Sequence, residues 1–439
     1  MSLLIKNALI VNADKVSDKP QDILIEMGTI TKIAPSITAA ASQKTIDAKG
    51  KLVFPGLIDM HCHLREPGRE DKETIETGSR SAAKGGFTTV MCMPNTNPVI
   101  DNGMIVDGII KEARRVGLIN VIPIGAISKG QKGEDLVDIF ELKNAGCVAL
   151  SDDGRSVLNS QLMRHALEYA KMSDMLLIEH CEDPFLSAHG VMNEGYNSTV
   201  LGLKAQAGIA ETVIVSRDIE IANYLKTKIH FAHMSMKRSV ELIRFAKSQG
   251  IKVTAEACPH HFTLTDEATR SFDTNTKINP PLRSKEDVAA IKEGLKDGTV
   301  DCISTDHAPH THEEKELEYD HAPFGMIGFE TAVGLTFSEL VHPKVLSLPQ
   351  IAEKMSAAPA RILGLKKKGI IKEGMDGDLT IIDPEKEWVF KKEDIASKSK
   401  NSPFIGRQFK GRVEATVFGG KVVYQDSRQT SDVSRQSSI

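Results

Sequence analysis

The chain places two histidines one residue apart, His61-Cys62-His63, at the end of the apolar run 52–60. On a β-strand, residues i and i+2 point to the same side, so a strand ending in His-x-His aims two imidazoles at one point. Neutral imidazole is the commonest metal ligand, and a metal held this way can activate water. Arg65 puts a fixed positive charge beside that point. Further along, apolar runs end in Asp152-Asp153-Gly154, Glu179-His180, His233 and Asp306-His307. Taken singly, each has an ordinary explanation: a histidine whose polar atoms are satisfied, or an aspartate capping a helix. Repetition at five strand ends instead points to a metal centre. A catalytic zinc takes three protein ligands and a water, so four histidines and two aspartates are enough for two centres sharing a carboxylate. Two such ions, roughly 3.5–4 Å apart, can hold a bridging hydroxide and polarise a carbonyl together. The residue types alone do not separate Asp152 from Asp153.

The elements that must position these groups are eight short apolar runs at 53–61, 88–93, 120–127, 147–153, 175–181, 228–233, 251–257 and 301–306. Stretches of helical period separate them, among them 73–84, 104–116, 161–172, 211–225 and 285–295, and another follows at 330–341. Strands alternating with helices predict βα units, and eight of them predict an α/β fold, a (β/α)8 barrel with its site at the C-terminal strand ends. Both chain ends read as short strands, so a small β-sandwich domain is expected from 1–52 and 366–426, beside a barrel of 53–365. The polar stretch 427–439 is expected to be a disordered tail. The chain has 439 residues, 41% hydrophobic and 26% charged, with a formal charge of −4, which carries no nucleic-acid footprint. It contains no apolar run long enough to span a bilayer and no secretory-signal pattern at its start. Six dispersed cysteines, Cys62, Cys92, Cys147, Cys181, Cys258 and Cys302, suit buried free thiols in a reducing cytoplasm.

Longer motifs surround the strand ends: Asp59-Met60-His61-Cys62-His63-Leu64-Arg65-Glu66-Pro67-Gly68, Met93-Pro94-Asn95-Thr96, Ser151-Asp152-Asp153-Gly154, Glu179-His180-Cys181-Glu182 and His233-Met234-Ser235. Pro259-His260-His261-Phe262, Lys277-Ile278-Asn279-Pro280-Pro281-Leu282-Arg283 and Asp306-His307-Ala308-Pro309-His310 complete the set. Together they make the chain resemble the dihydroorotases of the amidohydrolase superfamily, in their long bacterial class, over nearly its whole length. Related hydantoinases and dihydropyrimidinases bridge their metals with a carboxylated lysine from strand four. Here that strand ends in aspartates, which argues against the hydantoinase-like reading.

The resemblance implies zinc, two ions per subunit, with His61, His63 and Asp306 on one, His180 and His233 on the other, and Asp153 touching both. It implies that Asp306 is the proton relay, and that His63, Arg65, Asn95, Asn279, His310 and the Phe324-Gly325 backbone contact substrate. The implied reaction interconverts L-dihydroorotate and N-carbamoyl-L-aspartate in pyrimidine synthesis. Ring closure turns a dianion into a monoanion and is therefore favoured by acid. His260 and His261 are expected to be supporting residues, and 308–325 a mobile loop over the mouth. The alternatives are another cyclic amidohydrolase (allantoinase, dihydropyrimidinase or hydantoinase) or a silent scaffold of aspartate transcarbamoylase. The partners expected are a small-molecule substrate and either a second copy or the transcarbamoylase.

Overall fold

In a computed structural model, which describes residues 2–40 and 43–426, eight parallel strands form the centre of the molecule. They are β1 (Leu57–Cys62), β2 (Phe87–Cys92), β3 (Asn120–Pro123), β4 (Ala149–Leu150), β5 (Leu176–Glu179), β6 (Ile229–Phe231), β7 (Val253–Ala257) and β8 (Cys302–Ile303). Neighbours pair in chain order, a bridge between Gly125 and Leu150 joins β3 to β4, and one between Cys62 and His307 closes the ring. The predicted tail at 427–439 lies outside the described residues.

Two apolar layers follow from the two-residue period of the strands. Ile58, Met60, Met91, Ile122, Ala149, Leu176, Ile178 and Cys302 fill the barrel interior, and Ala360 and Leu363 join the same cluster. Leu57, Val90, Val121, Leu177, Phe231 and Ala255 face the surrounding helices. Those helices carry side-chain caps. Asn102 accepts from the backbone of Met104 and Ile105, and Asn159 from Gln161 and Leu162. The last predicted helix is Phe329–Thr336, continued by a wider π turn at Phe337–Val341.

The first predicted strand, 53–61, is two strands. Leu52–Pro55 leaves the barrel, pairing with Ser2–Ile10 on one side and Leu379–Val389 on the other. The turn falls at Gly56, where a Cβ would lie 2.2 Å from Thr88 Oγ1. The boundary expected at 52/53 therefore falls inside a strand whose pairing runs to Pro55. Among the described residues this second sheet has eight strands, seven in one path and Lys44–Asp47 paired off it to Ser2–Ile10, and it encloses its own core of Ile5, Ile23, Ile25, Val53, Ile381 and Val417. All six cysteines are buried and unpaired. Among the described residues no helix is long and apolar enough to cross a membrane.

Candidate metal centre and active site

The strand period leads directly into the site at three places. Steps of two run from Ala149 to Asp153, from Ile178 to His180 and from Cys302 to Asp306. At two others the phase breaks. On β1 the interior residues are Ile58 and Met60, so His61 would face outward, but the register with β2 slips between Asp59 and Cys62. That irregularity turns His61 and His63 inward. On β6, Ala232 is interior and His233 follows it with φ +35°, a left-handed conformation that re-aims the ring. Asp306 (φ +47°) and Arg65 (φ +63°) carry similar strain.

Six expected side chains converge. Asp153 Oδ1 lies 3.3 Å from His61 Nε2 and 3.5 Å from both His180 Nδ1 and His233 Nε2, while its Oδ2 is 3.5 Å from His63 Nε2. Asp306 Oδ1 is 3.1 Å from His63 Nε2 and 3.6 Å from His61 Nε2. Donors arranged tetrahedrally at the usual zinc distances are about 3.3–3.5 Å apart, which the four Asp153 spacings match, while the Asp306–His63 contact is within hydrogen-bond range. Among the described residues, His61 Nε2, His233 Nδ1 and Asp153 Oδ1 are buried without a hydrogen-bond partner. Unsatisfied buried polar atoms are costly and require an explanation, and a shared cation supplies one at His61 and Asp153. Burial alone would raise the Asp153 pKa, but the ring of histidines holds it well below the carboxylate range. Burial would lower that of His61, yet Asp153 and Glu256 hold it well above the imidazole range.

Asp152 is separated from its neighbour by geometry. Its carboxylate accepts from the backbone of Ile127 (2.8 Å) and Ser128 (3.1 Å) and from the Ser128 hydroxyl, and so faces away from the cluster. Supporting residues that the sequence did not single out surround the histidines. Glu256, fully buried, lies 2.7 Å from His61 Nδ1 and takes the Ser304 hydroxyl at 2.6 Å. Asp59 accepts from Thr305 N (3.0 Å) and His61 N (3.2 Å), tying β1 to the end of β8. Their signal was available: Glu256 and Asp59 are acidic residues inside fully or largely buried strands. His261 Nε2 bonds Pro280 O at 2.9 Å, while His260 Nε2 is buried without a partner among the described residues.

The expected substrate contacts surround the same point. Arg65 Nε donates to Pro309 O (3.1 Å), and its guanidinium reaches His310 Nε2 at 3.2 Å. Burial lowers its pKa to about 10, so it remains charged at neutral pH. Asn95 Oδ1 lies 2.9 Å from His63 Nδ1. Asn279 donates to Glu182 Oε2 at 2.7 Å and accepts from Gln206 at 3.1 Å. Phe324 O is 2.8 Å from His310 Nε2, and the Gly325 N–H donates to Lys277 O. The Gly325 N–H is therefore engaged within the protein rather than open to a ring edge. The stretch 308–325, expected to be a mobile loop, carries local structure. It contains the short helix His312–Lys315 and buries His310, Lys315, Tyr319 and Ala322, because Asn401 holds Ala308 O (3.0 Å) and Gly325 O (3.2 Å). A cavity of about 450 Å³ opens beside the ends of β4 and β5, lined in part by Asp152, Gly154, Arg155 and Glu182.

A barrel with four imidazoles and two carboxylates gathered at its C-terminal strand ends has the form of an amidohydrolase. The fold is similar to that of L-Hydantoinase (Dihydropyrimidinase) from Arthrobacter aurescens, with a TM-score of 0.87 and 25% identity over 96% of each chain. It is also similar to dihydropyrimidinase from Brevibacillus agri NCHU1002, with a TM-score of 0.82 and 23% identity over 97% of this chain and 95% of that one. The Amidohydrolase family profile matches residues 276–424 and the Dihydro-orotase-like profile residues 50–239. Proteins named Dihydroorotase from Endomicrobium trichonymphae and Pelotomaculum thermopropionicum are 54% and 55% identical over 97% of this chain, which spans 100% and 99% of their lengths. The chain belongs to the dihydroorotase family and is a cyclic amide hydrolase.

Proposed function

We propose that the chain interconverts L-dihydroorotate and N-carbamoyl-L-aspartate, the ring-forming chemistry of pyrimidine synthesis, with two zinc ions. The observation that carries this reading is Asp153 lying 3.3–3.5 Å from four imidazoles, with Arg65 and His310 paired nearby. His61, His63 and Asp306 would hold one ion, His180 and His233 the other, and Asp153 both. Bound there, zinc polarises an amide carbonyl and makes a nucleophile available from water near neutral pH.

The protein groups carry the remaining chemistry. The guanidinium of Arg65 holds the substrate carboxylate, a charge-assisted contact that orients the ring. His310 meets the same anion, and Asn95 and Asn279 meet the ring's polar edge. Water adds to the ring carbonyl, Asp306 takes its proton, and the C–N bond breaks as that proton passes to the departing nitrogen. In the reverse direction Asp306 removes the ureido proton as the C–N bond forms and gives it to the carboxylate oxygen, which leaves as water. The test measures zinc content and dihydroorotate turnover on one sample, with hydantoin, dihydrouracil and allantoin assayed beside it. About two zinc per chain with turnover of dihydroorotate alone supports the reading, whereas faster turnover of another ring overturns it.

A further inference from the structure

The loop beyond β5 carries a carboxylate that serves two masters. Glu182 Oε2 lies 3.1 Å from His180 Nε2 and accepts from Asn279 Nδ2 at 2.7 Å. The other nitrogen of His180, Nδ1, faces the cluster, 3.5 Å from Asp153 and 2.9 Å from His233 Nε2. A carboxylate on the outer N–H of an imidazole fixes its tautomer and leaves the inner nitrogen as an electron-pair donor. Asn279 is held from both ends, since its Oδ1 accepts from Gln206 Nε2 at 3.1 Å. Its amide therefore cannot flip without losing a bond on each side.

We propose that Glu182 is a positioning residue that locks His180 and Asn279 together, so that metal retention and substrate affinity both depend on one carboxylate. This rests on the reading of His180 as a metal ligand and Asn279 as a substrate contact. The loop has an anchor independent of the carboxylate: the Glu182 N–H donates to Ser156 Oγ at 2.7 Å, and the Ser156 hydroxyl donates to His180 O. A side-chain change at 182 therefore leaves the end of β5 tethered.

The test compares Glu182→Gln, Glu182→Asp and Asn279→Ala with the unaltered chain. Zinc affinity is read by chelator competition, KM and kcat with dihydroorotate, and folding by the thermal transition of the zinc-stripped proteins. Glu182→Gln keeps the shape but brings an N–H against either His180 or Asn279. It is expected to weaken zinc binding about 10–100-fold and to raise KM about 10-fold, the scale of one charged hydrogen bond. Asn279→Ala is expected to raise KM and to change zinc affinity less than Glu182→Gln does, since the Asn279 amide also lies 3.4 Å from His180 Nε2, and Glu182→Asp to recover part of both losses. Unchanged zinc affinity or unchanged KM in Glu182→Gln overturns the proposal. Failure of the functional reading looks different: the unaltered chain would bind zinc without turning over dihydroorotate, and the zinc measurement would still judge the link to His180.

Discussion

At the scale of single residues, the site depends on which atoms of each side chain are already engaged. Asp152 and Asp153 are chemically identical neighbours, yet the first spends its carboxylate on Ile127 and Ser128 while the second faces four imidazoles. Asp306 stands 3.1 Å from His63 with its pKa held well below the carboxylate range, burial notwithstanding, by His63 and its neighbours. It is therefore ionised at neutral pH, the form that can accept a proton. Asp306→Asn is expected to lower kcat by about 10²–10⁴-fold, the usual contribution of a general acid–base group, measured together with zinc content so that loss of metal is not mistaken for loss of the relay. Arg65→Lys keeps the charge but loses the planar fork. Its expected effect is a KM raised about 10–100-fold, a loss of roughly 1.5–3 kcal/mol for a hydrogen bond to a charged group, with kcat changed less. Steady-state kinetics with dihydroorotate separates the two.

At the scale of elements, strand period explains three of the six converging side chains, and a register slip and a left-handed backbone explain the other three. Asp153, His180 and Asp306 continue the inward-facing positions of their strands, whereas His61 needs a register slip and His233 a left-handed backbone. Gly56, where the chain leaves the terminal sheet for β1, has Thr88 against its missing side chain. Gly56→Ala is expected to cost about 1–3 kcal/mol through overpacking, read as a lower denaturation midpoint. The helix Phe329–Thr336 gives a pH effect. Glu330 accepts from Ala396 N at 2.6 Å and Ser81 Oγ at 3.0 Å, and burial pushes its pKa up from 4.5 to about 7 against the pull of those donors and Lys84. Between those values the folded state binds more protons than the unfolded one. Its contribution is therefore full below about pH 4.5 and lost as pH rises through 7. Glu330→Gln should flatten the fall in thermal midpoint across that window; an unchanged slope would assign the fall to other groups.

At the scale of the whole molecule, distant segments of chain hold the mouth. Glu73 lies 3.3 Å from His307 Nε2 and accepts from the Ser397 hydroxyl and Lys398 N, so the 390s brace the end of β8. Asn401 does the same for Ala308 and Gly325. The terminal sheet grips the barrel through Thr380 Oγ1 on Gly86 O (2.6 Å) and Thr416 Oγ1 on Ala83 O (2.7 Å). Ions binding only the folded form add stability by mass action, about 2.7 kcal/mol at a hundredfold excess over Kd. Stripping zinc with a chelator should therefore lower the thermal midpoint, and returning zinc should restore it. A midpoint that ignores zinc would count against a bound metal.

Residue types, their places at the ends of apolar runs and the alternation of strand with helix already carried the barrel, the histidine–aspartate cluster and the family likeness, because short-range periodicity decides which way a strand residue points. They did not carry the break at Gly56, which depends on how closely Thr88 packs, or the choice of Asp153 over Asp152, which depends on where the backbone of Ile127 and Ser128 lies. Nor did they show Glu256, Asp59, Glu182 and Asn401 as supports, since each acts across a large separation in sequence or through a side chain with no pattern of its own. The candidate ligands could be read along the chain. Their aim and bracing come from contacts made only when all eight strands and both chain ends have come together.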